Sequence, residues 1–304
     1  MEKILNQIVF FGSGPVAASS LEKLAKWANI EIVITKQRPP HHKYPAPVEV
    51  LAKQLNLNLQ YANSKNQLNE LISNLSPNSK LGLVIDYGVI ISKQVIDYFP
   101  YGIINSHFSI LPEWRGADPI TYSLLSGQNK TGVTLMSIDE GLDTGPIVAT
   151  KKINIENDTN QSLTRKLIEV SDELLKEQLP LFFEQKIYAK PQDTISNIAT
   201  YSRMLTKADS AINPAKPATL LEREIRAFQG WPASKISINN LQVAITYAEV
   251  SEKSLSMGEF SITKYKLFLG CRIGSLEIVK LKPAGKKEMD VRSFINGYAY
   301  FINN

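Results

Sequence analysis

The first half of the chain alternates short β-rich runs with amphipathic helical windows, and this alternation constrains the fold more than any other feature of the sequence. QIVFF (7–11) precedes VAASSLEKLAKW (16–27), IEIVIT (30–35) precedes PVEVLAKQL (47–55), and NLQYA (58–62) precedes NQLNELISNL (66–75); LGLVIDYG (81–88) and GIINSHF (102–108) follow. Parallel neighbours need crossover connections of this helical kind, so the pattern predicts an α/β, Rossmann-like, mostly parallel sheet with helices on both faces and ligands at the carboxyl ends of its strands.

Residues 131–155 read as two strands joined by a loop, a hairpin near the sheet edge, and 162–185 as a long closing helix. From 187 to 205 no period is sustained, so the expected organisation is a catalytic domain over 1–188, a linker over 189–206 and a second domain over 207–304. After a helical window at 218–231, the runs SKISI, LQVAITYAEV, GEFSIT, YKLFLGCRI and SLEIVKLKP alternate apolar and polar residues between turn-formers. About five such strands predict a small β-barrel of the oligonucleotide-binding (OB-like) type.

Charge divides along the same line. Residues 206–304 carry 14 Lys/Arg against 9 Asp/Glu, whereas the preceding 205 carry 20 of each, so the whole net charge of +5 sits in the last third. A basic module beside a neutral one fits a polyanionic partner held away from the chemistry, and fits a solvated lysine surface as well. One cysteine, Cys271, excludes an internal disulfide, and three histidines exclude Cys/His zinc clusters, so no metal is expected. The N-terminal apolar run is too short for a secretory signal and no stretch approaches the roughly 18 apolar residues of a membrane span, which predicts a cytoplasmic protein.

Two stretches invite a chemical reading. FGSGP (11–15) follows a strand, as a dinucleotide-binding loop does, but Pro15 stands before any third glycine and the second strand ends in Lys36 instead of an acid for a ribose; a tight strand-to-helix turn is the better reading. GIINSHFSILPEWRGADP (102–119) is different: Asn105 and His107 lie two apart on a strand, so both side chains share one face. There an amide can donate to a developing oxyanion while an imidazole donates or moves a proton. Taken alone, these residues fit a structural histidine as well as a catalytic one. The glycine-flanked loop IDEGLDTGP (138–146) adds Asp139, Glu140 and Asp143, any of which could orient His107, and Ser109 lies in no nucleophile elbow. Trp114 fits loop packing or ligand stacking, and Arg115 fits an anion contact or a loop brace.

NSHFSILPEWRGADPI, followed by TGVTLMSIDEGLDTGPIV, resembles the folate-dependent formyltransferases. The resemblance implies that Asn105, His107 and Asp143 form the catalytic set, with Asn105 and His107 stabilising an oxyanion and Asp143 assisting proton movement. It implies 10-formyltetrahydrofolate as the formyl donor, Ser109, Ile110, Leu111 and Pro112 as the folate-binding segment, and no metal. FFGSGPVAASSLEKL, DYGVII, YSRMLTKADSAIN, LEREIRAFQGWPAS and LKPAGKKEM extend it along almost the whole chain, toward members whose acceptor is methionyl-tRNA on the initiator. Members acting on nucleotide-linked amino sugars are the alternative. For a tRNA acceptor, Arg38 and Lys43 in the loop after the second strand, and Lys286 and Lys287 in the last domain, are the expected contacts, and a monomer is expected. That loop is shorter than is usual in the family, while Glu113 and Asp118 place negative charge where a basic residue and an alanine are common.

Overall fold

The computed structural model describes residues 6–38, 45–186, 188–195 and 198–302, and the chain folds into two compact units. The first comprises 1–119, 130–154 and 164–202; the second gathers 120–129, 155–163 and 203–304. Residues 120–129 and 155–163 thus group with the C-terminal third, although they lie far from it in sequence.

The first unit is built along the chain from β1 (Gln7–Phe11), α1 (Pro15–Leu24), β2 (Asn29–Thr35), α2 (Pro47–Gln54), β3 (Leu59–Tyr61), α3 (Lys65–Leu75), β4 (Leu81–Val84), α4 (Lys93–Tyr98) and β5 (Ile103–His107). It continues through β6 (Arg115–Gly116), α5 (Pro119–Ser126), most of which groups with the second unit, then β7 (Lys130–Ser137), β8 (Ile147–Asn154), α6 (Asn160–Phe183) and β9 (Tyr201–Ser202). Seven strands form one sheet in the order β3-β2-β1-β4-β5-β7-β8, in which β1 to β5 run parallel, β7 pairs antiparallel with β5, and β8 antiparallel with β7. The central strands are apolar on both faces because helices cover both: Ile8, Val9, Phe10 and Phe11 are all fully buried.

Local chemistry sets the helix starts. Ser64 caps α3 by accepting from the Gln67 N–H, and Ser92 caps α4 by accepting from the Val95 N–H. Helix α6 is tied to the sheet by Ser171, whose hydroxyl lies 2.7 Å from that of Ser106, and to α1 and the turn after it by a Lys23–Glu169 ion pair and a Trp27–Asp172 hydrogen bond.

The second unit contains α7 (Ala218–Ala227), β10 (Ser234–Ile238), β11 (Leu241–Ser251), β12 (Phe260–Thr263), β13 (Lys266–Gly270), β14 (Ser275–Pro283), β15 (Met289–Asp290) and α8 (Val291–Ile302). The five alternating runs form β10 to β14, joined antiparallel in the order β10-β11-β14-β13-β12, with β15 added against β14. The inner face packs Val243, Ile245, Leu267, Leu269, Leu276, Ile278 and Leu281 against Leu221 and Ile225 of α7 and Phe294 of α8. The short helices α4 and α5 and the terminal α8 add to the elements expected from the sequence.

Candidate active site

β4, β5 and the loop after β1 present their carboxyl ends together, and β5 supplies the first reactive side chains. Ser106 points toward α6, so its neighbours Asn105 and His107 share the opposite face; Asn105 is half-buried and His107 is buried. Asp143, from the loop between β7 and β8, reaches both. Its Oδ1 lies 3.4 Å from Asn105 Nδ2 and its Oδ2 3.7 Å from His107 Nδ1. Of the three acids in that loop only Asp143 meets the histidine. Asp139 instead braces the loop itself, accepting from the Gly141 N–H and the Thr144 hydroxyl, and Glu140 is exposed.

Asp143 is fixed from several sides. The Gly116 N–H donates to its Oδ2 at 2.7 Å, and its backbone adopts φ +51°, a left-handed conformation that surrounding contacts must hold. Gly116 has φ +113°, and a Cβ there would lie 2.3 Å from the Ser202 carbonyl oxygen, so only glycine brings this N–H up to the carboxylate. On the other side of the ring, His107 Nε2 lies 3.0 Å from the Trp114 carbonyl oxygen. A carbonyl only accepts, so Nε2 carries the proton in this contact, and a proton on Nδ1 would face the Asp143 carboxylate.

The segment Ser109–Pro112 forms a tight turn beside these residues. The Ser109 hydroxyl donates to the Glu113 carbonyl at 2.6 Å, while Thr134 of β7 donates to the Ser109 carbonyl and accepts from the Leu111 N–H. The Leu111–Pro112 peptide is cis. Ser109 therefore shapes the turn, and of its four residues only Ile110 is half-exposed.

Sequence reasoning missed the residues that lock this arrangement. They lie in the stretch expected as a linker. Gln192 is 5% exposed; its Nε2 donates to the carbonyls of Asp143 (2.9 Å) and Gly145 (2.8 Å), and its Oε1 accepts from Arg115 Nη2 (2.7 Å) and Nε (3.2 Å). Arg115 is thus a brace. β9 pairs in parallel with β6, matching Tyr201 to Arg115 and Ser202 to Gly116, and Thr200 accepts from the Trp114 N–H at 2.9 Å. A lone glutamine in an aperiodic stretch carries no signal that would single it out.

The glycine loop after β1 is a turn whose anion-binding end is already filled. The carboxyl of Asp86, two residues beyond β4, accepts from the backbone of Ala17 and Val16 at the start of α1. A Cβ on Gly14 would lie 2.0 Å from Asp86 Oδ2. Water reaches Asp86, which is exposed as a residue, yet the protein atoms crowding its carboxyl push it up to about 6; those two N–H groups oppose the shift and the charge of Asp118 adds to it. A pyrophosphate at this helix end would meet a carboxylate.

The remaining expected contacts fall elsewhere. Arg38 is exposed in the segment after β2, where its charge acts on Glu49; Lys43, with His41 and His42, lies outside the described residues. Lys286 and Lys287 are exposed in the turn after β14. Among the described residues no three His, Cys, Asp or Glu side chains gather as a metal site, and no helix is long and apolar enough to cross a membrane.

Comparison with known proteins places both units in one family. Residues 6–179 match the formyl transferase family model and 204–299 match the model of the formyl transferase C-terminal domain. The chain is 34% identical over 296 residues to a methionyl-tRNA formyltransferase of Thermodesulfovibrio yellowstonii, covering 95% of each chain, and 31% identical over 308 residues to that of Buchnera aphidicola, covering 97% of each. Among solved structures, the N-formyltransferase of Helicobacter canadensis in complex with folinic acid and dTDP-3-aminofucose superposes with TM-score 0.67 at 19% identity, covering 90% of this chain and 99% of that one. HypX of Aquifex aeolicus superposes with TM-score 0.66 at 13% identity, covering 97% of this chain and 48% of that one. At such identities the likeness concerns the fold. With both units matched and relatives aligned along nearly the full chain, the chain belongs to the formyl transferase family.

Proposed function

We propose that the chain transfers the formyl group of 10-formyltetrahydrofolate to the free amino group of methionyl-tRNA. The observation that carries this reading is its near full-length similarity to methionyl-tRNA formyltransferases; its likeness to the amino-sugar enzyme is one of fold. The folate donor supplies an activated formyl carbon as co-substrate, and the rest of the work falls to the chain's own residues.

The acceptor amine adds to the formyl carbon and the carbonyl electron pair moves onto oxygen. Asn105 is the first donor to that oxygen, because its side-chain contact with Asp143, at 3.4 Å, is at the outer limit of a hydrogen bond and leaves its N–H groups available. His107 stands beside the same oxygen, with Nε2 held by the Trp114 carbonyl and Nδ1 facing the half-buried Asp143 carboxylate, and its ring adds electrostatic stabilisation of the developing charge. The bond from the formyl carbon to the folate nitrogen then breaks, its pair returning to that nitrogen. The proton lost by the amine passes through Asp143 and water to the same nitrogen, so the products are a formamide and tetrahydrofolate. Ser109, Ile110, Leu111 and Pro112 shape the wall against which the folate lies.

In this reading residues 1–188 carry the chemistry and 207–304 hold the tRNA, with Arg38, Lys43, Lys286 and Lys287 meeting its phosphates, in a cytoplasmic monomer acting on the initiator. The deciding experiment offers the purified protein 10-formyltetrahydrofolate with methionyl-tRNA and, separately, with a dTDP-linked amino sugar. Formylation of the first alone is expected; formylation of the sugar alone would overturn the assignment.

A further inference from the structure

The outer face of the C-terminal sheet carries a cleft of about 310 Å³. Its centre is Ala244 of β11. Register places Ala244 between Lys235 of β10 and Lys282 of β14, so two lysines flank one small side chain, with their backbones about 10 Å apart at ordinary strand spacing. Val243 and Ile245 are buried, so Ala244 faces outward into the cleft. Pro232 and Ala284 extend an apolar floor, and Gln242 adds an amide at the rim.

Charge says what this cleft accepts. Lys235 and Lys282, together with Lys280 on the same face of β14 and Lys286 and Lys287 in the adjoining turn, are exposed and have no ion pair among the described residues. Elsewhere in the same unit Lys216 pairs with Glu224 and Lys266 with Glu277, whereas Lys207, Lys253 and Lys264 stand singly, without an ion pair among the described residues, so it is the clustering of five lysines about one cleft that sets this face apart. No acid lines the cleft. Two exposed aromatics lie near it in the chain and the sheet: Trp231, 54% exposed, falls in sequence between the lining residues Gly230 and Pro232, and Tyr247, 40% exposed and paired in register with Lys280, donates its hydroxyl to Glu249. Unpaired lysines around an apolar floor with aromatic rings nearby are what an unstacked nucleotide requires, its phosphate on the charges and its base on the floor.

We infer that this cleft holds one unstacked nucleotide of the RNA substrate, with the phosphate between Lys235 and Lys282 and the base over Ala244 and Pro232. The inference rests on the tRNA acceptor proposed above and adds a subsite to it. It predicts two separable effects. Removing the lysines weakens RNA binding and its salt dependence together, whereas filling the floor weakens binding while keeping every charge.

The test uses the full-length protein with the double variant Lys235→Ala/Lys282→Ala, the cleft-filling Ala244→Trp, and Lys264→Gln on the β12–β13 turn as a control. The double variant is expected to raise KM for methionyl-tRNA about tenfold with kcat nearly unchanged, and to lower the salt slope of binding by about 1–2. Ala244→Trp is expected to raise KM several-fold at an unchanged salt slope. Circular dichroism establishes that each variant is folded. Binding of an unstructured oligo(U) octamer and of inorganic polyphosphate is measured in parallel, with Ala244→Trp expected to weaken only the oligonucleotide. If Ala244→Trp matches the wild type toward both RNAs, or the lysine variant matches Lys264→Gln, or polyphosphate responds to cleft filling as RNA does, the nucleotide subsite is refuted. If the wild type formylates no methionyl-tRNA, the proposed function fails, and the oligo(U) measurements still decide the cleft.

Discussion

Replacing Gln192 by alanine should inactivate the enzyme without touching any group that meets substrate. The substitution removes two hydrogen bonds donated to the carbonyls of Asp143 and Gly145 and the acceptor shared by two nitrogens of Arg115. Neutral hydrogen bonds contribute about 0.5–1.5 kcal/mol each and those to a charged group about 1.5–3, so counting the shared acceptor once gives a loss of about 2.5–6 kcal/mol. The kinetic consequence is separate. With its carbonyl released, the left-handed backbone of Asp143 can relax, and a displacement of about 1 Å at a catalytic group costs on the order of 10²-fold in rate. Urea unfolding followed by circular dichroism reads the first quantity and kcat at saturating substrates the second. Gln192→Glu sharpens the test: it keeps an acceptor for Arg115 but supplies no donor to the two carbonyls, so its kcat should fall as far as that of the alanine variant. A Gln192→Ala protein with kcat within about twofold of wild type and an unchanged urea midpoint would show that the β7–β8 loop holds Asp143 by itself.

Three further outcomes are expected. Asn105→Ala should lower kcat by about 10²–10³ while leaving the unfolding curve in place, as loss of one oxyanion donor does; a folded variant of near-normal rate would exclude this role. Gly116→Ala should destabilise by about 1–3 kcal/mol through backbone strain and reduce kcat as well, since the new Cβ must displace Ser202 or withdraw the N–H from Asp143; urea titration and steady-state rates measure both. Asp86 titrates with a raised pKa, so the folded protein holds this proton more tightly than the unfolded chain and loses stability as pH rises from about 4 to about 6. Asp86→Asn removes that loss, and the variant should gain on wild type across this window when unfolding midpoints are compared at pH 4.5 and 7.5; a pH-independent difference would refute the assignment.

The fold was legible wherever pattern and burial coincide. Apolar runs such as QIVFF and LGLVI become strands buried on both faces, and the alternating runs from 234 to 283 become one antiparallel sheet with a buried inner face. α8 was not, because its glycine and its aromatics weaken the helix signal, although VRSFINGYAYFI spaces Val291, Phe294, Ile295, Tyr298 and Ile302 at helical intervals and Phe294 completes the core. At the site, Asn105 and His107 could be paired from spacing alone, since two residues on a strand face one way. Asp143 came from resemblance, because three acids in one loop are equivalent until the backbone picks which one turns inward. Gln192 and Thr200 were invisible for a simpler reason: 49 residues separate Gln192 from Asp143 and 86 separate Thr200 from Trp114, and no local period spans such distances.

The two-residue pairing of β6 with β9 also sets where the chain can be cut. The family match ends at residue 179, within α6, and a fragment stopped there would still contain all seven strands of the large sheet. It would lack Gln192, Thr200 and Ser202, and with them the contacts that hold Arg115, Trp114 and Asp143 in place. Any truncation or domain exchange meant to preserve the chemistry therefore has to run through Ser202, some two dozen residues beyond the end of the family match.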